Sequence, residues 1–598
     1  MLALAAGNSY IHAMSAPNQF ISGQTIIPSR VFPQPEFLPM SRPEMKALGW
    51  PELDILLLSG DAYVDHPACG AALLGRFLVA HGFRVGLLTQ PDWRDPASVS
   101  KLGRPRLFAG VTSGSMDSML AHYTAFRKKR SEDAYTPGGR AGARPNRACI
   151  VYANLVRQAF PGLPVVLGGI EASLRRVSHY DFWADSLRRS LLLDAKADYL
   201  IYGMGETPIL SLARLLREGG AGTPAVGRIP GLVRAVSAET AEALAPDALL
   251  LSSHEDIAAN PELLLKATLD LERQVLQGGP PALQASAGRW VLVHSPAPVL
   301  SRAEMDFLYG LPFTRRSHPV YKAPVPAEEM LRTSLTTHRG CASGCTFCSL
   351  ALHQGRAIAA RGRSSILEEA GRLAVTHKSR RGRGLAISDA GGPTGNMWAS
   401  RCAGNAASCK RGSCLWPEIC PQFQTNQAEN IALLRELAAL PGVSQVRMAS
   451  GIRYDLGLIE PEALAAYVRE FTGGQLKVAP EHISDNVLRL MRKPGRGKLE
   501  AFLELFAGVG GNKEQYVIPY LMSAFPGCTD ADMREMAVWL KKRGWRPQQV
   551  QCFIPTPGTV ATAMFYCAKD SRGRGINVAR TDAQRLRQHR ILTGESEE

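Results

Sequence analysis

The second half of this 598-residue chain repeats one pattern: a short apolar run, a loop, then an amphipathic stretch. Apolar runs fall at residues 332–336, 384–388, 443–449, 475–478, 515–521 and 548–554. Runs of this length, separated by helix-period segments, read as parallel strands with both faces covered. The segment opening with Ser365-x-x-Glu368 carries Ile366, Ala370 and Leu373 on one side, the pattern of a capped helix. Another helix runs through Ile431, Leu434 and Leu437, and a third covers 530–543. Six strand–helix units in series predict a parallel barrel, or an open six-unit version of one, with its chemistry on the loops after the strands.

The first half alternates as well, less regularly. Residues 1–36 read as an irregular N-terminal extension. Residues 37–220 read as an open parallel α/β domain, with strand-like runs at 54–59, 84–88, 107–112, 150–153, 165–168 and 199–202 and a helix at 70–81. Residues 221–330, rich in Pro and Gly, are expected to be a connector with some structure of its own. The barrel is expected at 331–560, carrying a Cys-rich insertion at 396–424, and residues 561–598 read as a C-terminal tail with a peripheral helix. A hydrophobic content of 45% and a charged content of 20% are those of a soluble globular protein. No apolar run is long enough to cross a bilayer, and the N-terminus has no basic stretch before an apolar core. No membrane partner and a cytoplasmic location are therefore expected, and clustered cysteines read as metal ligands. The net charge of +16 leaves RNA possible as a partner. The basic clusters Arg127-Lys-Lys-Arg130, Arg380-Arg-Gly-Arg383 and Lys541-Lys-Arg543 are scattered, however, and lack interleaved aromatics.

On the loop after the first barrel run lies Thr337-His-Arg-Gly-Cys341-Ala-Ser-Gly-Cys345-Thr-Phe-Cys348. A four-iron cluster usually takes four thiolates, so three leave one iron open to a small molecule. Zinc prefers four ligands in C-x2–4-C pairs, which this spacing does not provide.

The segment resembles the cluster motif of the radical S-adenosylmethionine (SAM) superfamily. The resemblance implies a 4Fe–4S cluster on Cys341, Cys345 and Cys348 with SAM on the open iron, in a partial (β/α)6 TIM-like barrel. It implies reductive cleavage of SAM to a 5′-deoxyadenosyl radical acting on an unknown substrate, with a flavodoxin or ferredoxin as reductant. The other strand-end loops then gain candidate roles. Gly391-Gly392 is either a plain turn or a close approach for the SAM amino group. Arg453 offers a fork of donors for a carboxylate and Ser450 a hydroxyl for a ribose; Arg453 paired with Asp455 at the surface is the alternative. Glu481 and His482 either meet ribose or substrate, or cap the helix starting near Asp485. Phe347 is expected to shield the cluster; Lys493-Pro-Gly-Arg496-Gly497 is either a basic loop that meets substrate or, as expected, a turn.

A second group, Cys402, Cys409, Cys414 and Cys420, lies within nineteen residues of the insertion. An auxiliary iron–sulfur cluster, a structural zinc site and an unmetallated loop all remain open readings.

Beyond the cysteines, Phe37-Leu-Pro-Met-Ser41, Gly60-Asp-Ala-Tyr-Val-Asp-His-Pro67, Gly168-Gly-Ile-Glu171, Tyr202-Gly-Met-Gly-Glu206, Ser388-Asp-Ala-Gly-Gly-Pro-Thr394 and Lys477-Val-Ala-Pro-Glu-His482 resemble the YgiQ-like group of that superfamily. The group's N-terminal domain is related to a cobalamin-binding α/β module, in which a His two residues after an Asp ligates cobalt. Here Asp65 and His66 are adjacent, so cobalamin is not expected. Two further functions stay open: a methylthiotransferase-like RNA-modifying enzyme, suggested by Pro555-Thr-Pro-Gly558-Thr, and a non-catalytic iron–sulfur carrier.

Overall fold

The computed structural model describes residues 25–220, 224–376, 384–404, 409–509, 515–547 and 550–594. The expectations for residues 1–24, the Arg380–Arg383 cluster and the last four residues lie outside these segments. The chain divides into two units. One comprises Met1–Thr124, Lys129–Leu300 and Phe307–Arg332; the other comprises Ala125–Lys128, Ser301–Asp306 and Thr333–Glu598.

The first unit is built on a nine-stranded sheet. Its strands are β1 Ile55–Ser59, β2 Val85–Thr89, β3 Phe108–Thr112, β4 Val165–Gly168, β5 Tyr199–Ile201, β6 Leu232–Val236, β7 Leu249–Leu250, β8 Ala282–Ser286 and β9 Arg289–Val293, in the order β2-β1-β3-β4-β5-β6-β9-β8-β7. The first five are parallel. All five residues of β1 are buried, which is why this strand is a continuous apolar run rather than an alternating one. The run at 150–153 is instead part of the helix Ala148–Ala159. Its apolar residues alone do not distinguish a buried strand from a buried helix.

Residues 221–330, expected to be a connector, carry β6 to β9. β6 pairs antiparallel with β5, β9 with β6, and β8 with β9, so these strands extend the sheet. The Pro/Gly-rich stretches are the turns of this extension.

In the five parallel strands the order reverses between β1 and β3, the crevice where open α/β sheets commonly bind ligands. Here the chain's own side chains fill it. Arg144, fully buried, reaches Asp61 after β1 at 2.9 Å, Asp133 at 2.8 Å and the Ser113 carbonyl after β3 at 3.0 Å. Asp65 and His66 are likewise buried. Asp65 accepts from Arg76 Nε at 2.7 Å, Tyr63 Oη at 3.0 Å and the Thr314 N–H at 2.7 Å. His66 Nδ1 accepts from the Ala68 N–H at 3.0 Å, and its Nε2 lies 3.1 Å from Arg315 Nη1. Burial and Arg315 hold this imidazole neutral.

The second unit holds β10 Ser334–Thr336, β11 Leu385–Ile387, β12 Asp389–Gly391, β13 Val443–Val446, β14 Gln475–Glu481, β15 Tyr516–Ser523 and β16 Val550–Cys552. β11 and β12 form one broken strand: β12 pairs with β10 and β11 with β13, both parallel. A parallel bridge from Ile452 to Val478 links the chain after β13 to β14, and β14, β15 and β16 form a parallel ladder. Spatial order therefore follows chain order through six strand positions, the partial (β/α)6 arrangement. Among the described residues no ladder joins β16 back to β10. Helices Arg363–Thr376, Gln427–Ala439, Asp485–Met491, Arg496–Gly508 and Asp530–Lys542 lie between the strands. The expected cap at Ser365 is displaced, because this helix starts at Arg363 and the Ser365 hydroxyl accepts from Arg361 Nη2 at 2.8 Å. Of residues 561–598, Val560–Cys567 is a buried helix, and Asp582–Thr593 buries Arg585, whose Nη2 donates to the Phe553 carbonyl at 2.6 Å.

The Arg76–Asp65 pair, with both side chains fully buried, gives a stability test. Arg76→Met leaves a buried carboxylate without its cation and should cost about 3–5 kcal/mol in urea unfolding. Adding Asp65→Asn should recover part of that loss.

Candidate active site

The cysteine loop leaves β10 and runs into the helix Ser349–Gln354, for which Cys348 is the N-cap. Two positive-φ glycines shape it. A Cβ on Gly340 (φ +88°) would stand 2.0 Å from the Ala357 carbonyl oxygen, and one on Gly344 (φ +68°) would stand 2.7 Å from that of Gly412. Only glycine relieves both the conformation and the contact. Thr346 ties the loop to the end of the helix Asp485–Met491, its Oγ1 donating to the Leu490 carbonyl at 2.8 Å.

Cys341, Cys345 and Cys348 line one cavity of about 370 Å³ at the C-terminal ends of the strands. Burial raises the Cys345 thiol pKa, opposed by Lys493 and Arg453, and pushes that of Cys348 up to about 12. Thiols kept neutral this way lose their protons to a bound metal.

Arg453 forms part of the cavity wall. It does pair with Asp455, Nε at 2.8 Å and Nη2 at 2.6 Å, but the pair is buried rather than at the surface. Its third nitrogen, Nη1, reaches Ser343 Oγ at 3.1 Å and lies 4.0 Å from Cys345 Sγ. Burial opposes the charge, yet Asp455 outweighs it and holds the guanidinium pKa above its ordinary value. Asn396 fixes the backbone beneath: its Oδ1 accepts the Arg453 N–H at 2.9 Å, and its Nδ2 donates to the Arg453 carbonyl at 3.0 Å.

Glu481 also lines the cavity, in a left-handed conformation (φ +68°) next to a register shift in β14. Strained non-glycine backbone of this kind persists where surrounding structure enforces it. Burial raises its carboxyl pKa, while Lys493, 3.6 Å away, lowers it. Lys493 Nζ also donates to the Ala479 carbonyl at 2.6 Å, so this turn residue points into the cavity rather than to solvent. Phe347 lines the same wall and meets Phe525 edge-on at 6.2 Å. The Tyr454 hydroxyl is buried without a hydrogen-bond partner.

Other expected residues stand behind the wall. Pro393 and Thr394 line it, while Gly391 and Gly392 are not among the lining residues. The Gly391 carbonyl accepts the Thr337 N–H at 2.8 Å, and a Cβ on Gly392 would come within 2.7 Å of His338. The glycines thus admit His338 and Ser450. Ser450 bonds Asp389, which also accepts the N–H groups of Ala449 at 2.8 Å and Ser450 at 2.9 Å. His482 turns away, its Nδ1 accepting the Ser484 N–H at 3.0 Å at the start of the helix Asp485–Met491. Sequence reasoning missed Asn396, Ser343 and Tyr454, and placed Lys493 on a plain turn. A polar residue buried by distant neighbours leaves no local periodic signal.

The site fits a cluster with a cofactor beside it. It offers three thiols, two buried cations and a carboxylate. Among the described residues no three His, Cys, Asp or Glu side chains are arranged around a single metal ion. The thiolates of a four-iron cubane stand at its corners, further apart than donors around one ion.

A family model described as Radical SAM N-terminal matches residues 37–334, which places the chain in the radical SAM superfamily. A UPF0313 protein of Geobacter sulfurreducens is 47% identical over 93% of this chain and 92% of its own length. The UPF0313 protein YgiQ of Salmonella typhimurium is 40% identical over 93% of this chain and 85% of its own. The chain belongs to the UPF0313 (YgiQ) family. Among solved structures, the radical SAM methyltransferase TsrM of Kitasatospora setae, with cobalamin and a 4Fe–4S cluster bound, covers 85% of this chain and 76% of its own at a TM-score of 0.48 and 16% identity. Among the described residues no helix is long and apolar enough to cross a membrane.

Asn396 is a positioning residue for Arg453. Asn396→Ala strands a buried N–H and a buried carbonyl, and should lower stability by about 1–3 kcal/mol in thermal or urea unfolding. Asn396→Asp keeps the acceptor but sets a buried carboxylate oxygen against the Arg453 carbonyl and Gln427 Oε1, and should lose at least as much.

Proposed function

We propose that this chain is a cytosolic radical SAM enzyme whose site is the cavity lined by Cys341, Cys345 and Cys348. The observation that carries the reading is the convergence of three thiols, Arg453, Lys493 and Glu481 on that cavity. With a 4Fe–4S cluster on the thiols and SAM on its open iron, one electron from a flavodoxin- or ferredoxin-class donor would cleave the sulfonium to methionine and a 5′-deoxyadenosyl radical. The residues do the rest. Arg453 and Lys493 put positive charge beside the thiolates and favour an anionic cluster and a carboxylate ligand. Glu481 offers an acceptor for an amine or a ribose hydroxyl. Phe347 and Phe525 keep water from the thiols. Gly391, Gly392 and Ser450 stand behind the wall, where the glycines admit Ser450 and His338 and Ser450 bonds Asp389. His66 is held by Ala68 and Arg315 and is not counted as a cobalt ligand.

A carrier of iron–sulfur clusters has no use for a buried Arg453–Asp455 pair beside an open cavity, so that alternative is disfavoured. RNA as substrate rests on the net charge of +16 and on no particular residue.

The test is anaerobic reconstitution with iron and sulfide, followed by dithionite and SAM, with 5′-deoxyadenosine read by chromatography. The parent chain should form it. Cys345→Ala should form none and lose the SAM-responsive part of the cluster signal, whereas Cys567→Ser, outside the cavity, should match the parent. Cluster assembly without 5′-deoxyadenosine would overturn the reading.

A further inference from the structure

The insertion at 396–424 belongs to no strand–helix unit, yet it is docked with care. Three consecutive residues meet the cysteine loop. The Gly412 carbonyl faces Gly344, the Ser413 hydroxyl donates to the Ser343 carbonyl, and the Cys414 N–H donates to the Ala342 carbonyl at 3.0 Å. Main-chain bonds then draw the insertion's own cysteines together. The Cys420 N–H donates to the Cys414 carbonyl at 2.7 Å, and the Phe423 N–H to that of Cys420 at 2.9 Å. Phe423 pairs with Cys402 across a two-residue antiparallel ribbon. Cys409 lies beside Arg411, whose Nε donates to the Ser413 carbonyl at 3.0 Å, and beside Arg356, which bonds the Arg411 carbonyl.

All four thiols are free, and none is fully buried: Cys402 is exposed and the other three are half-buried. Cys414 and Cys420 pack on the apolar cluster formed by Cys341, Ala342, Met397, Leu415, Phe423 and Leu456. That cluster anchors part of the insertion, while Cys402 and Cys409 lie outside it. Three thiols brought together by main-chain bonds, and Cys409 beside two guanidinium groups, are donors suited to a metal group of net negative charge. Only Cys409-x4-Cys414 falls within the C-x2–4-C spacing usual for zinc, and no second pair of that spacing completes the set. Cluster ligation by four thiolates tolerates such varied spacing.

We propose that Cys402, Cys409, Cys414 and Cys420 bind a second iron–sulfur cluster, fully ligated by protein and seated against the loop that carries Cys341, Cys345 and Cys348. It goes beyond the proposed SAM chemistry, because the second site requires nothing of the first.

The full chain, reconstituted anaerobically, is analysed for iron, sulfide and zinc and by electron paramagnetic resonance after reduction. About eight irons per chain are expected for the parent, with two reduced signals of which one responds to SAM. The triple variant Cys341→Ala/Cys345→Ala/Cys348→Ala should keep about four irons and a signal indifferent to SAM. The double variant Cys414→Ala/Cys420→Ala should keep about four irons and the SAM-responsive signal. One zinc per chain in the triple variant, or a parent that binds only about four irons and shows a single signal, would overturn the proposal. The parent's count and spectra involve no substitution, so a misfolded variant does not blur the outcome. Iron kept by the triple variant but lost wholly by the double variant would sink the reading of the first site and leave this one standing.

Discussion

A guanidinium shut away from bulk water has to find partners for its donors, and the neighbours of Arg453 are arranged around that requirement. Asp455 takes two of its nitrogens, Ser343 takes the third, and Asn396 clamps the backbone from which the side chain grows. Each partner comes from a different strand-end loop: Ser343 from the one after β10, Asn396 from the one after β12, and Asp455 from the one after β13. Three of the six strand ends therefore meet at Arg453, Ser343 through its side chain and Asn396 through its backbone. The position of Cys345, near the same guanidinium, follows from that arrangement.

A second cation on the cavity uses the same logic. Lys493 leaves the end of the helix Asp485–Met491 and turns back onto β14, where the Ala479 carbonyl and Glu481 receive it. A buried lysine needs a carboxylate, and a buried carboxylate needs a cation. The left-handed backbone at Glu481 is what lets a side chain at the strand end face that lysine. Arg453 and Lys493, each with a carboxylate partner, therefore line the cavity with the thiols.

Much of this was legible in the sequence. The six strand positions and the loops after them could be read because buried parallel strands are unbroken apolar runs, and three close cysteines are a rare combination. The roles on those loops were less legible. Gly391 and Gly392 read as ligand contacts, yet they make room for His338 and Ser450, because a missing Cβ says only that something comes close. Lys493 read as a turn, since Pro494 and Gly495 dominate the local pattern and Glu481 lies twelve residues away. The extension of the first sheet by β6 to β9 was obscured for a related reason: short strands set among prolines and glycines resemble loops until their partners are known.

The insertion bearing Cys402 to Cys420 shows where sequence and structure divide the work. Sequence supplies four thiols and no pattern that could fold them, since helical and strand periodicities are both absent. Structure supplies the anchor: the carbonyls of Ala342 and Ser343 and the space at Gly344, the same loop that presents Cys341 and Cys345 to the cavity. A Cβ at Gly344 would disturb both faces of that loop at once, since it would strain the turn between the two cavity cysteines and collide with the Gly412 carbonyl. The two cysteine groups are thus mechanically coupled through one glycine, whatever group each of them holds.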